Sequence, residues 1–462
     1  MGLHRSSASS LRRSSLVTAA ALVAVGSMFL AACGSKNEEA TTTTAATETT
    51  AASTETTAAP TETTAAPTET TAAPAAGGVC DGSKKPAGDA LNVWVETTVD
   101  SSLASYPNIA KAAEIYTSYT NDCGGIAGRP LKVTFCDGKT DANEDAACAR
   151  KGVADGAIAF VGGFDYDESL LIAVLEEGKT AWFGACCPVV NAEFQSPISF
   201  NMGSVTSFNA GAAKRMVADG CQNMSFLVGD NPTGEFFKGQ AKHALELLKY
   251  TGKVQYITIA SADVEAGNYQ AVAAKATDGG VDCVHGFTGD IQWLGLIPAW
   301  ESLGVKPRLY GPQGNLNGKV AEAFPEFTEG ATVIGTYPNI TNPTWDTYRA
   351  ALEKYNAPDL DWNSLAGLGT WAAFEGFRLI VEKMVADGIT DINNLTFLEA
   401  ANATTNLDTK GMVAPLDFTK PWDGAGGATP RVFNRQVFYD CVAGGKLVPC
   451  KEAGPEDMSA IQ

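Results

Sequence analysis

Tyr119-Thr120-Asn121-Asp122-Cys123-Gly124-Gly125-Ile126-Ala127-Gly128-Arg129-Pro130-Leu131-Lys132-Val133 is the stretch from which the fold is read. Before it, Ile109, Ala112, Ala113, Tyr116 and Tyr119 recur at helical spacing, which predicts a helix over Ile109–Tyr119. After it, Leu131–Phe135 is a short run of strand type. The glycines end the helix in a left-handed turn and let the chain reverse into the strand. With a strand at Leu91–Val95 upstream, the unit is strand, helix, parallel strand.

Working outward, the alternation continues. Helix Asp141–Val153 carries acidic residues in its first turns. Strand Ile158–Val161, helix Glu168–Glu176, strand Ala181–Phe183 and helix Ser207–Ala218 follow. A second series begins at Met224–Val228 and runs through strands Val254–Ile259, Cys283–Gly286, Arg308–Tyr310 and Ala331–Thr336, with helices between them. The longest helical pattern is Trp371–Ala386. Arg431–Val442 reads as a strand, and Gly444-Gly445 as a hairpin turn into Leu447–Val448. Two successive series predict an α/β protein of two doubly wound lobes. Roughly 380 residues is also long for a single core.

The amino-terminal segment has a different character. Arg5, Arg12 and Arg13 precede an apolar run from Leu16 to Ala32 that is short for a membrane span, closed by Leu30-Ala31-Ala32-Cys33-Gly34. This order is an export signal, and the Cys33 junction resembles a bacterial lipobox. The resemblance implies cleavage before Cys33 and lipid on its thiol, so residues 1–32 are expected to be a leader and the mature protein to be tethered outside the cytoplasmic membrane. From 33 to 78 the chain is nearly all Thr, Ala, Glu and Pro, and TETTAAP repeats three times from Thr54 to Pro74. No large apolar residue fills an a or d position, so the seven-residue period is no coiled coil. The segment reads as a disordered leash.

Charge and cysteine count narrow the function. The chain has 33 basic and 52 acidic residues, net −19, and loss of the three leader arginines takes this to −22. Nucleic acid and anionic membrane surfaces are poor partners for such a surface. Ten cysteines remain beside Cys33, an even number that suggests disulfides in an exported chain. Cys136–Cys148 and Cys441–Cys450 are the favoured local pairs, with Cys80–Cys123 and Cys221–Cys283 as further pairings. Adjacent Cys186 and Cys187 form a vicinal ring, pair elsewhere or stay reduced. With no CxxC and three histidines in all, no metal and no cofactor is expected. Nor is an enzyme: G-x-S-x-G, H-E-x-x-H, P-loop and G-x-G-x-x-G motifs do not occur.

Asn121, Gly124, Gly125, Ile126, Gly128, Arg129 and Asp137 together resemble the first helix-to-strand turn of type I periplasmic binding proteins, most closely the leucine/isoleucine/valine-binding family that serves ATP-driven importers. Gly311-Pro312-Gln313-Gly314 and the ending Phe438–Val448 are similar to two further parts of that family, and the likeness covers nearly all of 88–450. It implies two lobes joined by three crossings, near Gly203, near Thr336 and around Gly411. Lobe 1 is then 79–203 plus 337–410, and lobe 2 is 204–336 plus 411–462.

The resemblance implies a small polar ligand held between the lobes: an amino acid, an amide or a similar metabolite. It also implies delivery to an ABC permease by a monomer. The alternative is a sensor of the same fold that signals to a membrane partner. Carried over residue by residue, the lobe 1 contacts are Thr98 in the first loop, Phe164 and Asp165 after the third strand, and Ala185, Cys186 and Cys187 after the fourth. Those of lobe 2 are Thr233, Thr288, Asp290 and Gln313. Asp165 either meets the ligand or caps the following helix. Gln313 stands where amino-acid binders carry a glutamate, and either bonds the ligand or braces its own loop. Trp362 and Trp371 fall near the region that often adds an aromatic wall.

Overall fold

A computed structural model describes residues 79–462 except 102–104, 231, 261, 264–265, 358–359 and 425–427. The leader 1–32, the Cys33 lipid site, the leash 33–78 and Asn231 lie outside the described residues. Among those described, no helix is long and apolar enough to cross a membrane.

Two sheets organise the chain. The first contains β1 (Leu91–Thr97), β2 (Leu131–Asp137), β3 (Ala159–Val161), β4 (Ala181–Phe183) and β5 (Ser199–Phe200), all parallel, in the order β2-β1-β3-β4-β5. The second contains β6 (Asn223–Gly229), β7 (Lys253–Ile259), β8 (Cys283–Gly286), β9 (Arg308–Pro312), β10 (Thr332–Gly335), β11 (Gln436–Ala443), β12 (Lys446–Pro449) and β13 (Glu456–Asp457). Its order is β12-β11-β10-β9-β8-β6-β7, with β13 on β11, and only the pairings that β11 makes are antiparallel. Helices cover the first sheet, so β1 buries residues of both its faces and reads as a near-continuous apolar run. Helix Leu365–Ala386 packs on helix Pro107–Asp122. There Trp371 is fully buried against Tyr116, Tyr119 and Tyr348, a core residue rather than a cleft wall, and Trp362 packs edge-on to Tyr348.

The opening motif behaves as its residue types require. Gly124 and Gly125 have φ of 95° and 77°, and a Cβ on Gly125 would strike the Arg129 backbone. Asn121 then clamps the incoming strand: its Nδ2 donates to Leu131 O (2.9 Å) and its Oδ1 accepts from Leu131 N (2.8 Å). Asp137, at the end of β2, accepts from Val99 N and Asp100 N and so fixes the loop after β1.

Disulfides join Cys80 to Cys123, Cys136 to Cys148, Cys221 to Cys283 and Cys441 to Cys450. Cys186 and Cys187 take the vicinal option. The lobes meet at residues 201–204 and at 336–338. The third passage lies later than the position near Gly411: Phe418 packs on Phe183 and Phe200, and Arg431 Nε donates to Ser199 O, so this segment still belongs to the first lobe. The chain joins the second sheet only at Gln436, which also removes Arg431–Arg435 from the predicted strand. The described residues of 403–435 hold no regular helix or strand whose periodicity could have marked the boundary.

Candidate functional site

In an open parallel sheet, ligands sit beyond the carboxyl ends of the strands where the strand order reverses. β1 is flanked by β2 and β3, and β6 by β7 and β8, so each sheet reverses beside its first strand. The loops from both reversals line one cleft. A cavity of about 450 Å³ is walled by Tyr106 and Tyr166 from lobe 1 and by Gly229, Asp230, Thr233 and Phe287–Asp290 from lobe 2. A deeper recess of about 150 Å³ shares Tyr106, Tyr166, Phe287 and Asp290 and extends to Phe164, Cys186, Cys187, Asp361 and Ser364.

The lobe 1 wall is largely aromatic. Tyr106 precedes Pro107, whose fixed φ suits the first helical position, and this places the Tyr106 ring at the helix mouth. Its edge meets Phe164 at 5.1 Å between centroids, and its hydroxyl donates to that of Tyr166 at 2.8 Å. The Cys186–Cys187 disulfide forms part of the recess floor. Gly203 closes over it, since a Cβ there would strike the Cys186 carbonyl. Asn108 Nδ2 donates to Ser364 Oγ at 2.6 Å.

In the lobe 2 wall, Gly289 and Asp290 open helix Asp290–Leu303. The Phe287 ring packs on Phe237, and Asn315 Nδ2 donates to Thr288 O. Asp361 in lobe 1 accepts from Gly318 N in lobe 2 at 2.8 Å, and Leu365 abuts Gly314, so the lobes touch across the recess. Among the described residues Lys319 is the one basic residue that lines either cavity, and its Nζ lies 3.5 Å from Asp290 Oδ2. Burial raises the Asp361 carboxyl above its ordinary value, and Asp290 nearby adds to this. The recess therefore offers aromatic faces, amide and hydroxyl groups and two carboxylates.

Of the sequence-derived candidates, Phe164, Cys186, Cys187, Thr233, Thr288 and Asp290 come together on these walls. Four others stand behind them. Ala185 is buried at the end of β4. Gln313 is 2% exposed: its Nε2 donates to Tyr337 O, its Oε1 accepts from Tyr337 N and its own N donates to Ile334 O, a brace across the second crossing. Asp165 accepts from the Thr98 hydroxyl and from Tyr166 N, and both it and Thr98 are fully buried. Asp165 sits among Glu96, Asp145 and Glu168, whose carboxyls burial pushes well upward; like charges on their neighbours add to the shift.

Tyr106, Tyr166, Phe287 and Asp361 are among the lining residues that sequence reasoning missed. The loop after β6, Asp230–Gly234, has no aromatic in its sequence. Phe287 after β8 and the two tyrosines opposite supply the rings. A tyrosine directly before a helix-opening proline, and another three residues past the Gly162-Gly163 pair that follows β3, are the available signals.

A periplasmic binding protein family profile matches residues 97–433. No curated protein sequence matches the chain. Solved structures with the same fold include the leucine-binding protein of Thermotoga maritima, at 13% identity and TM-score 0.62, over 78% of this chain and 97% of that one. A fatty acid ABC transporter substrate-binding protein from Thermomonospora curvata aligns at 16% identity and TM-score 0.63, over 81% and 95%. The solute-binding protein of an R. palustris ABC transporter, solved with benzoate, aligns at 18% and 0.62, over 80% and 99%. With that profile match over most of its length, two sheets of mainly parallel strands and a cleft at both strand-order reversals, the chain belongs to the periplasmic binding protein family.

Proposed function

We propose that this protein is a lipid-anchored, extracytoplasmic, monomeric solute-binding protein that captures a small molecule between its lobes and delivers it to an ABC importer permease. The observation that carries the reading is the single cleft walled by both strand-order reversals. A ligand that touches both walls favours the closed form, because only that form makes both sets of contacts. The closed lobes then present one surface to a permease.

The lining narrows the ligand. With Asp290 and Asp361 in the recess and Lys319 already beside Asp290, it suits a molecule with an ammonium or another strong donor group. Tyr106, Phe164, Tyr166 and Phe287 suit an apolar or planar remainder. Phe164, Cys186, Cys187, Thr233, Thr288 and Asp290 are proposed as direct contacts. Thr98, Asp165, Ala185 and Gln313 are proposed to hold those contacts in place.

A thermal-shift screen of amino acids, amides, amines and aromatic acids, followed by titration, tests the reading. A saturable rise with a donor-bearing ligand, weakened by Asp290→Ala, is expected. A screen in which only anionic ligands without a donor group bind would overturn the ligand class. Intact mass of membrane-extracted protein tests the anchor: a diacylglyceryl adduct that begins at Cys33 is expected.

A further inference from the structure

Behind the lobe 1 wall lies a set of carboxylates that ligand capture does not use. Glu96 at the end of β1, Asp145 in the first turn of helix Ala142–Ala154 and Asp165 after β3 each place an oxygen within 4.8 Å of the others. All three are fully buried. The ion pairs of the described residues include none of them.

Acidic residues often cluster without consequence, but two observations set this cluster apart. First, apart from the contact these two side chains make with each other, neither oxygen of Glu96 nor of Asp145 receives a hydrogen bond. Fully buried, unsatisfied carboxylates cost several kcal/mol each, and native structures rarely leave them so. Second, the backbone keeps the space between them open. Gly138, directly after β2, has its missing Cβ position among oxygens of Asp145, Glu96 and Asp165, so any larger residue would fill the centre of the cluster.

We propose that Glu96, Asp145 and Asp165 bind a hard divalent cation of the calcium or magnesium class, which ties the loops after β1, β2 and β3 together and so sets the lobe 1 wall of the cleft. The donors are all oxygen, which suits these ions and not zinc or copper. The loops are already stitched around the cluster: Thr140 N donates to Thr98 Oγ1 and Asp165 Oδ2, and Asp165 N donates to Glu168 Oε1. Asp165 lies between Phe164 and Tyr166, so a cation on its carboxylate fixes both rings. No sequence motif marks the site, because its three residues come from a strand, a helix and a loop that are far apart in the chain.

The test uses the intact protein, stripped with a chelator at about pH 7.5 and then given Ca²⁺ or Mg²⁺ at about 1 mM, within the range of extracellular calcium modules. Melting temperature should rise by about 2–5 °C, and terbium luminescence should titrate to a single ion that Ca²⁺ displaces. Asp145→Asn, Glu96→Gln and Gly138→Ala should each weaken terbium binding by about tenfold or more. The first two should melt, metal-free, no lower than the stripped parent, since each removes a buried repulsion. If a variant does not fold, the terbium titration of the parent still decides. An unchanged melting temperature together with no terbium uptake in the parent overturns the site and leaves carboxyls that share protons. Undiminished uptake in all three variants places the ion elsewhere and also overturns it.

Discussion

At the carboxyl ends of the first sheet, β1 and the loops after β2 and β3 deliver buried carboxylates: Glu96, Asp145, Asp165 and Glu168. At the matching ends of the second sheet, β6, β8 and β9 deliver exposed Asp230, half-buried Asp290 and neutral, buried Gln313. Both sheets are doubly wound modules with a reversal beside the first strand, yet they treat buried polar groups differently. In the second lobe Gln313 is fully engaged with backbone, and His285 has Nδ1 3.2 Å from Tyr310 O while burial pushes its pKa down to about 4, so it stays neutral and leaves only an uncharged Nε2 without a partner. In the first lobe both oxygens of Glu96 and of Asp145, and one of Glu168, lack such partners, whereas Asp165 has them. Satisfied polar groups specify a fold, whereas unsatisfied ones call for something the chain alone does not provide.

The largest test of this contrast removes disulfides. Cys221–Cys283 closes 62 residues in the second lobe, and Cys136–Cys148 closes 12 in the first. By loop entropy, replacing each pair with alanine should cost roughly 4 and roughly 3 kcal/mol. Denaturant unfolding checks both values. The informative difference is a second readout. Cys148 lies in the helix that carries Asp145, so losing Cys136–Cys148 should also loosen the acid cluster and blunt its response to cations. Losing Cys221–Cys283 should leave that response intact.

Protonation offers a comparison of similar size. Burial raises Glu193 in lobe 1 and Asp440 in lobe 2 to about 7 each. A carboxyl whose folded pKa is raised contributes stability that is fully present below its unfolded value, here 4.5 and 3.8, and that is lost as pH rises through about 7. Chelator-treated protein should therefore lose about 3 kcal/mol per group between pH ~4.5 and ~8, as followed by urea unfolding. The neutral variants should separate the lobes. In Asp440→Asn one amide oxygen can still accept from Asn339 and Asn363, as Asp440 Oδ2 does, so that variant should flatten its share of the slope at little cost. Glu193 accepts from Trp182 Nε1 on one oxygen and from Val189 N and Val190 N on the other. Glu193→Gln must forfeit one side and should lose about 1–3 kcal/mol at low pH.

How much of this was legible in the sequence follows from how local each signal is. The turn at Asn121–Leu131 was readable because glycine conformations and an asparagine clamp act within ten residues. Strands such as Ala181–Phe183 and Cys283–Gly286 were readable because burial on both faces leaves continuous apolar runs. β5 is two residues long and carries no period. In the site, the vicinal cysteines and Asp290 could be placed by their position after a strand. Gln313 could not, because whether it faces the cleft or the Tyr337 backbone depends on a side-chain direction no pattern encodes. Glu96 falls just past the predicted strand Leu91–Val95 with no local mark, since its importance comes from Asp145 and Asp165 on other elements.

A smaller effect separates brace from contact in the second lobe. Gln313→Ala leaves Tyr337 N and Tyr337 O without partners in a buried crossing, so it should cost about 1–3 kcal/mol of stability and less than threefold in ligand affinity. Asp290→Ala should do the reverse: little change in melting temperature and about a tenfold loss of affinity for a donor-bearing ligand, measured by calorimetric titration. Equal affinity losses in both would mean that lobe 2, like lobe 1, couples its supports to the cleft.

The smallest expected effect lies on the lobe 1 wall. Tyr106→Phe keeps the ring that packs edge-on to Phe164 and removes only the hydroxyl that meets Tyr166 at 2.8 Å. Tyr166 is 46% exposed, so water can replace the lost partner. The cost should be about 0.5–1 kcal/mol, a two- to fivefold loss of ligand affinity, because a neutral hydrogen bond near solvent contributes little. A loss well beyond about tenfold, 1.4 kcal/mol, would mean that the hydroxyl bonds the ligand itself. The contrast between the lobes would then shift: the first wall would read polar groups on the ligand as well as its apolar face, and the aromatic pair would be a recognition element rather than a surface.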